Sequence, residues 1–346
     1  MRYQLELTPI SLIWTGDYKK GNSRFLLTGL KGSLRWWYET LVRGLGGYAC
    51  DPSDGGCELN FTNDEERNFS AKQILPEHKA AMLKAKICPA CYLFGCTGWK
   101  SRFGLNPPVD ENSTTMTGQL QQEALYTLKI VERLGYPLEA QEITLLKVLF
   151  SFISDHGSIC AKNTLIPSEE TGHPTEDKNL YGYQNGSRHG NFGLCTIALQ
   201  NDSGIPSCHS SEISDFVASF TKNNASDNLE EWPNFKNVWY ASQLINRLQL
   251  RDMVNRPPDK SNNYKKRPAY DTPATLTDKW HGGEQMKSKK IFAFHAADDM
   301  PTGAQPRSWG YVKSNNDGRV WLVSKWCWGA NNLKWGLGYL QSKGVL

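Results

Sequence analysis

Tyr3, Leu5 and Leu7 alternate with Gln4 and Glu6, and this period of two predicts a strand with one buried face, ended by Thr8-Pro9. Residues Thr15 to Leu30, with Gly16, Gly21 and Gly29, read as a loop. From Lys31 to Leu45 apolar positions recur at Leu34, Trp37 or Tyr38, Leu41 and Leu45, which is helical spacing stopped by Gly46-Gly47. A cysteine-bearing insertion follows, then a glycine-punctuated turn or hairpin from Gly95 to Gly104 and the Pro107-Pro108 break. Tyr126, Leu128 and Ile130 alternate as a second strand. Leu138 to Ile153 carries a helical stripe at Ile143, Leu146, Phe150 and Ile153, and Phe192 to Leu199 predicts another short strand. Between them, Asn163 to Gly190 is polar and reads as a loop.

The order strand, helix, strands, helix, strand resembles a βαββαβ ferredoxin-like unit with long insertions, an architecture shared with RNA-recognition domains. After the junction Asn201 to Ser211, a helical pattern at Ile213, Phe216, Val217 and Phe220 opens a second unit. Its predicted strands are Ile291 to Phe294, Trp309 to Lys313 and Val320 to Ser324, and its Arg251 to Pro268 segment is a basic, proline-bearing loop. The expected fold is α+β, with two tandem ferredoxin-like (RRM-like) domains at 1–205 and 206–346.

Length and composition narrow the picture. The chain has 346 residues, and no apolar run reaches the ~18 to 20 residues of a bilayer span. The alternating N-terminus is not a secretory signal, so a cytoplasmic protein without a membrane partner is expected. A net charge of +4 says little about partners by itself, but its distribution says more. Basic residues outnumber acidic ones seven to three from Arg2 to Arg43, six to one from Ala71 to Arg102, and seven to two from Arg247 to Arg267. Such segments, if they converge, form a phosphate-binding surface; solvated lysine-rich faces give the same pattern in one dimension. Twelve Trp can supply stacking faces beside these cations, or core.

Two segments carry candidate chemistry. In Thr28-Gly29-Leu30-Lys31-Gly32-Ser33-Leu34-Arg35-Trp36-Trp37, glycines and a capping Ser33 at a helix start suit an anion, and Lys31, Arg35 and Arg43 fall on one side of the helix. The alternative is a solvated face on which Glu39 pairs with Arg35 and Arg43. Cys50 and Cys57, followed by Cys88-Pro89-Ala90-Cys91, predict a closed four-thiolate structural zinc site that staples the insertion, with Cys96 or His78 as substitute ligands. An odd total of nine cysteines, five of them crowded between Cys50 and Cys96, argues for metal over a disulfide framework.

Gly32-x-Leu34-Arg35-Trp36-Trp37 followed by Cys88-Pro89-Ala90-Cys91-Tyr92-Leu93-Phe94-Gly95-Cys96-Thr97-Gly98-Trp99 resembles the RAMP superfamily, in particular the first RAMP subunits of CRISPR type III-B Cmr effector complexes. The opening Leu5-x-Leu7-Thr8-Pro9 is similar too. Gly157-Ser158-Ile159-Cys160-Ala161-Lys162 resembles the start of that family's glycine-rich segment, although the next glycines come only at Gly190 and Gly193. The resemblance implies a non-catalytic subunit near the 3′ end of the CRISPR RNA and its paired target RNA, with other RAMP subunits as partners. It places RNA contacts on Arg24, Lys31, Ser33, Arg35, Trp36, Arg43, Lys100, Arg102 and Lys162, and leaves Trp37 mainly to the core.

The competing reading is a metal-independent RAMP endoribonuclease, for which His189, His281 and His295 beside cationic residues are the candidates. None of the three sits in a recognisable motif. A zinc-stapled protein-interaction subunit is the third class.

Overall fold

The computed structural model describes residues 3–16, 24–51, 56–71, 75–116, 118–160, 193–201, 204–222, 233–241, 291–294, 307–311 and 334–346. Its first sheet contains β1 (Tyr3–Pro9), β2 (Phe103–Leu105), β3 (Tyr126–Glu132) and β4 (Cys195–Gln200), in the order β2-β3-β1-β4 with every pair antiparallel. Burial alternates along β1 as expected: Tyr3, Leu5 and Leu7 point inward, and Leu5 faces Leu128 of β3 and Leu199 of β4. Helices α1 (Leu27–Gly44) and α5 (Ala140–Asp155) join the strands in the predicted βαββαβ sequence. On α5, Ile143, Leu146, Phe150 and Ile153 are buried as their spacing requires.

Helix α1 begins four residues earlier than the apolar spacing indicates. Its N-cap residue, Leu26, has no side-chain capping group, and Thr15 Oγ1 accepts the Leu26 N–H at 2.8 Å from eleven residues away. Ser33 is therefore inside the helix and not its cap; its hydroxyl accepts from the Cys160 N–H at 3.1 Å.

The cysteine-bearing insertion contains three helices that periodicity did not reveal: α2 (Asn63–Ser70), α3 (Pro76–Lys86) and α4 (Pro89–Phe94). Thr62 and Glu65 close a capping box on α2, which buries none of its residues. A helix without a buried face leaves no apolar stripe to read.

The second sheet comprises β5 (Val238–Ala241), β6 (Ile291–Phe294), β7 (Arg307–Tyr311) and β8 (Lys334–Trp335), ordered β6-β7-β5-β8 and antiparallel throughout. Counted in chain order, both sheets run second, third, first, fourth. The strand expected at Val320 to Ser324, the polar loop Asn163 to Gly190 and the basic loop Arg251 to Pro268 lie outside the described residues.

Helix α6 (Ser210–Ala218) buries Ile213, Phe216 and Val217 as its spacing predicts, yet it packs on the first unit. Phe220 meets Tyr92 at 5.4 Å between ring centroids, and the Cys208 N–H donates to Thr144 of α5. The second sheet and the final helix α7 (Gly336–Ser342) close on the same core. Trp309 of β7 lies 4.7 Å from Trp37 of α1, and Phe152 of α5 contacts both Tyr240 of β5 and Tyr339 of α7. One apolar cluster thus runs from β1 through α1 and α5 into the second sheet. No described helix is long and apolar enough to cross a membrane.

Candidate metal centre and nucleic-acid interface

Cys88 is the N-cap of α4 and Pro89 its first residue, so the chain turns sharply and returns Cys91 beside Cys88. The Cys91 N–H points at Cys88 Sγ (3.5 Å), the Cys88 N–H at Cys57 Sγ and the Cys57 N–H at Cys50 Sγ (3.4 Å each). All four cysteines are buried, and their sulfurs lie within 4.8 Å of one another. Cys50 Sγ is 3.7 Å from Cys88 Sγ and 3.4 Å from Cys91 Sγ. Four sulfurs at about 2.3 Å from one tetrahedral ion are about 3.8 Å apart, so the cage fits such an ion. The quartet is the one expected from spacing. His78 is exposed on α3, and Cys96 lies beside Cys91 as an additional, half-buried thiol.

As thiols the four compete for protons. Cys50 is held far below the usual thiol range because Cys57, Cys88 and Cys91 donate to it, and donation to Cys50 holds Cys57 and Cys91 far above that range. For Cys88, burial is the main cause of an upward shift.

Helix α1 supplies the surrounding cations. Arg35 Nη2 donates to Cys91 Sγ at 3.0 Å, Nε to Glu39 Oε1 at 2.7 Å, and Nη1 to the Gly95 carbonyl at 2.5 Å. Gly95 has φ +94°, and a Cβ there would strike the Ser101 nitrogen at 2.7 Å; only glycine lets the chain turn under Arg35 into the 96–99 hairpin. Burial pushes the Glu39 carboxyl up to about 7 against the pull of Arg35. Arg43 is buried and donates to the Ala49 carbonyl (2.9 Å), the Cys50 carbonyl (3.0 Å) and the Pro233 carbonyl (3.1 Å), joining the cysteine site to the segment that enters β5.

Lys31 Nζ donates to Ser101 Oγ (2.7 Å) and the Phe103 carbonyl (2.8 Å), and burial lowers its pKa to about 8. Arg102 is buried, with Nη1 at 2.7 Å from both Glu142 carboxylate oxygens and Nη2 donating to the Pro137 carbonyl. Its guanidinium also covers the Tyr92 ring at 4.2 Å.

These contacts correct the expected cationic stripe. Arg43 and Arg102 are turned inward: Arg43 donates to the Ala49, Cys50 and Pro233 carbonyls, and Arg102 pairs with the buried Glu142 carboxylate. Arg35 is mostly enclosed between the cysteines and Glu39, and Ser33 is committed to Cys160. Arg24 and Lys100 remain exposed, and Trp36 is half-buried against Trp37 and Trp309 at 5.0 and 5.9 Å. Lys162, His189, His281 and His295 lie outside the described residues.

Arg133 was not anticipated. Its guanidinium lies 4.7 Å from the Trp99 ring centroid and 4.8 Å from that of Tyr136, and Nη1 donates to the Lys100 carbonyl at 3.2 Å. The pairing of Trp99 with position 133 arises only when the 96–99 hairpin folds against the end of β3, so linear spacing carries no signal for it.

The sequence model of the RAMP superfamily matches residues 6–184, more than half of the chain. This chain belongs to the RAMP superfamily. The matched span includes the end of β1 and all of α1, the cysteine quartet, β3 and α5. No curated protein sequence matches the chain at a significant level. A similar solved structure is a chain of a type III-B Cmr-beta complex, determined by cryo-EM with cognate target RNA and AMPPnP in the presence of ssDNA. The similarity is 11% identity with a TM-score of 0.33, covering 93% of this RAMP protein and 97% of that chain.

Proposed function

We propose that this RAMP protein is a non-catalytic RNA-binding subunit of a cytoplasmic type III-B CRISPR effector complex, placed near the 3′ end of the CRISPR RNA and the target paired with it. The carrying observation is the junction of the two motif segments. Within the span that matches the RAMP model, Arg35 of the Leu34-Arg35-Trp36-Trp37 helix bonds both Cys91 and the Gly95 carbonyl of the Cys-Pro-Ala-Cys segment. The quartet Cys50, Cys57, Cys88 and Cys91 would hold a structural zinc ion, with no position left for substrate. When bound, the ion supplies fixed geometry; Arg35 balances thiolate charge, and Arg43 carries the anchored Cys50 loop to the second unit.

The same strand order in both sheets supports two tandem ferredoxin-like units, expected at 1–205 and 206–346, with the segment around α6 packed back on the first and one core shared between them. The open face of the first sheet carries Gln4, Glu6, Thr127, Lys129 and Thr196, with no aromatic ring among them. Base stacking on the sheet, as in RRM domains, is therefore not the mode available there. RNA instead meets exposed cations such as Arg24 and Lys100 and the exposed part of Trp36. CRISPR RNA, single-stranded target RNA and neighbouring RAMP subunits are the partners.

The test is incubation of the purified chain with labelled repeat-derived and target RNA, with and without divalent metal. Salt-sensitive binding with the RNA left intact is the expected result. Site-specific cutting abolished by His281→Ala or His295→Ala, with binding retained, would replace this reading with the endoribonuclease.

A further inference from the structure

Where β3 ends, the chain reverses in a tight turn that is held from several sides. Arg133 and Tyr136 bridge across it, the Tyr136 N–H donating to the Arg133 carbonyl at 3.0 Å, and Gly135 at its centre has φ +79°. The Arg133 N–H donates to the Arg102 carbonyl at 2.7 Å, while the Arg102 guanidinium grips the Pro137 carbonyl and Glu142 at the start of α5. The Leu138 N–H is bound by the Glu132 carboxylate at 2.8 Å. So fixed a turn would be unremarkable around a polar tip, but its tip is Leu134, 98% exposed. A single exposed leucine needs no explanation. This one stands beside Val131, 47% exposed, over a groove of about 590 Å³ that runs along the outward side of β3.

Exposed Lys129 and the stacked Arg133 line that groove, and Arg133 Nη1 donates to the backbone carbonyl of exposed Lys100 next to it. Glu132 is the one acidic residue in the lining, and its carboxylate is engaged with the Leu138 N–H. A preorganised apolar tip flanked by three cations suits a polyanion that also has flat apolar faces. We infer that the 133–136 turn, with Lys100 and Lys129, is a single-stranded RNA contact, in which the cations take phosphates and Leu134 packs against a base. The inference rests on the RNA-binding reading above and gives it a location on the surface. Its anchor is Arg102, which acts from beneath the turn as a positioning residue and not as an RNA ligand.

The experiment measures binding of a fluorescein-labelled oligouridylate to the full chain over a series of salt concentrations. Leu134→Ser should weaken binding by at least roughly fivefold with the salt slope unchanged, since an apolar base contact is lost and no phosphate contact is. Lys100→Gln with Lys129→Gln should lower the slope of log affinity against log salt by about 1.4, at about 0.7 for each lost single-strand phosphate contact. Both sets of substitutions fall on exposed side chains, and an unchanged circular dichroism spectrum checks the fold. A photoreactive residue at position 134 should crosslink the probe. If the unsubstituted chain binds RNA and these variants match it in affinity and slope, the location is wrong while the functional reading stands. If they bind RNA normally but fail to join the assembled complex, the turn is a protein interface and the inference is overturned. If the unsubstituted chain binds no RNA, the functional reading itself fails, and the inference with it.

Discussion

Replacing Arg102 by Met removes a guanidinium that serves three groups at once, two of them buried. The Glu142 side chain has no solvent exposure, and Arg102 Nη1 lies 2.7 Å from both of its carboxylate oxygens. The Pro137 carbonyl loses a donor, and the Tyr92 ring loses a cation 4.2 Å away. Breaking a buried ion pair from one side costs about 3 to 5 kcal/mol, mostly because a charge is left without compensation in a poorly solvated place. At pH 8, above the value of about 7 to which burial raises Glu142, the carboxylate is ionised and the expected loss is about 4 kcal/mol. With a denaturant dependence of roughly 3 kcal/mol per molar, the urea midpoint followed by tryptophan fluorescence should fall by about 1.3 M. The double variant Arg102→Met, Glu142→Gln should recover most of the loss. Glutamine removes the charge and keeps an oxygen to accept the Glu139 N–H, which Glu142 now accepts at 2.8 Å. A single-variant loss below about 1 kcal/mol, or a double variant less stable than the single one, would refute the assignment of Arg102 to the interior.

The same carboxyl predicts a pH dependence. Burial pushes Glu142 from 4.5 up to about 7 in the folded chain, so the native state holds this proton longer than the unfolded state does. Its stabilising contribution is complete below 4.5 and is lost as pH rises through about 7; Glu142→Gln should flatten stability across that window. Lys31, lowered to about 8 by burial, should titrate near that value in competitive acetylation and not near 10.5; a value near 10.5 would contradict its enclosure by Ser101 and Phe103. Since Lys31 is shifted down, its penalty on folding is present below 8 and is relieved between 8 and 10.5. Metal analysis should find about one zinc per chain, and Cys88→Ser should lose it; a metal-free, fully folded preparation would refute the site. Because Arg43 ties the Cys50 carbonyl to that of Pro233, metal extraction should also speed amide exchange in β5, and unchanged exchange there would disprove the coupling.

Periodicity was informative wherever an element of several turns or residues buries one continuous face. The alternation at Tyr3, Leu5 and Leu7, the α5 stripe and the α6 stripe all became buried faces. The cysteine quartet was legible because a proline-bearing knuckle constrains two sulfurs locally, which leaves only the second pair to be brought in from a distance. Helix α2 was not legible, since it buries nothing and is held by caps and a salt bridge from Lys86 to Glu65. Short strands β5 and β8 carry no local signal, because what fixes them is the pairing of Trp239 with Trp335 across nearly a hundred residues.

Cations were the least legible feature. Lys31, Arg35 and Arg43 do share a helix, but what decides the role of each lies elsewhere: Ser101 and Phe103 for Lys31, Cys91 for Arg35, Pro233 for Arg43. A charge run specifies that cations are present and leaves open whether folding turns them toward phosphate or toward a buried carbonyl. Arg102 is turned inward to Glu142 and the Pro137 carbonyl, whereas Lys100, two residues away, is exposed.

The proposed function requires this RAMP protein to hold RNA at one end of a CRISPR effector assembly. The most direct measurement is photo-crosslinking of the assembled complex to CRISPR RNA carrying a photoreactive nucleotide at successive positions, with linked peptides identified by mass spectrometry. Crosslinks to this chain are expected from the 3′ portion of the guide, in peptides bearing Arg24, Lys100 or the 133–136 turn. An assembled, RNA-loaded complex in which every guide position crosslinks to other subunits and none to this chain would contradict it.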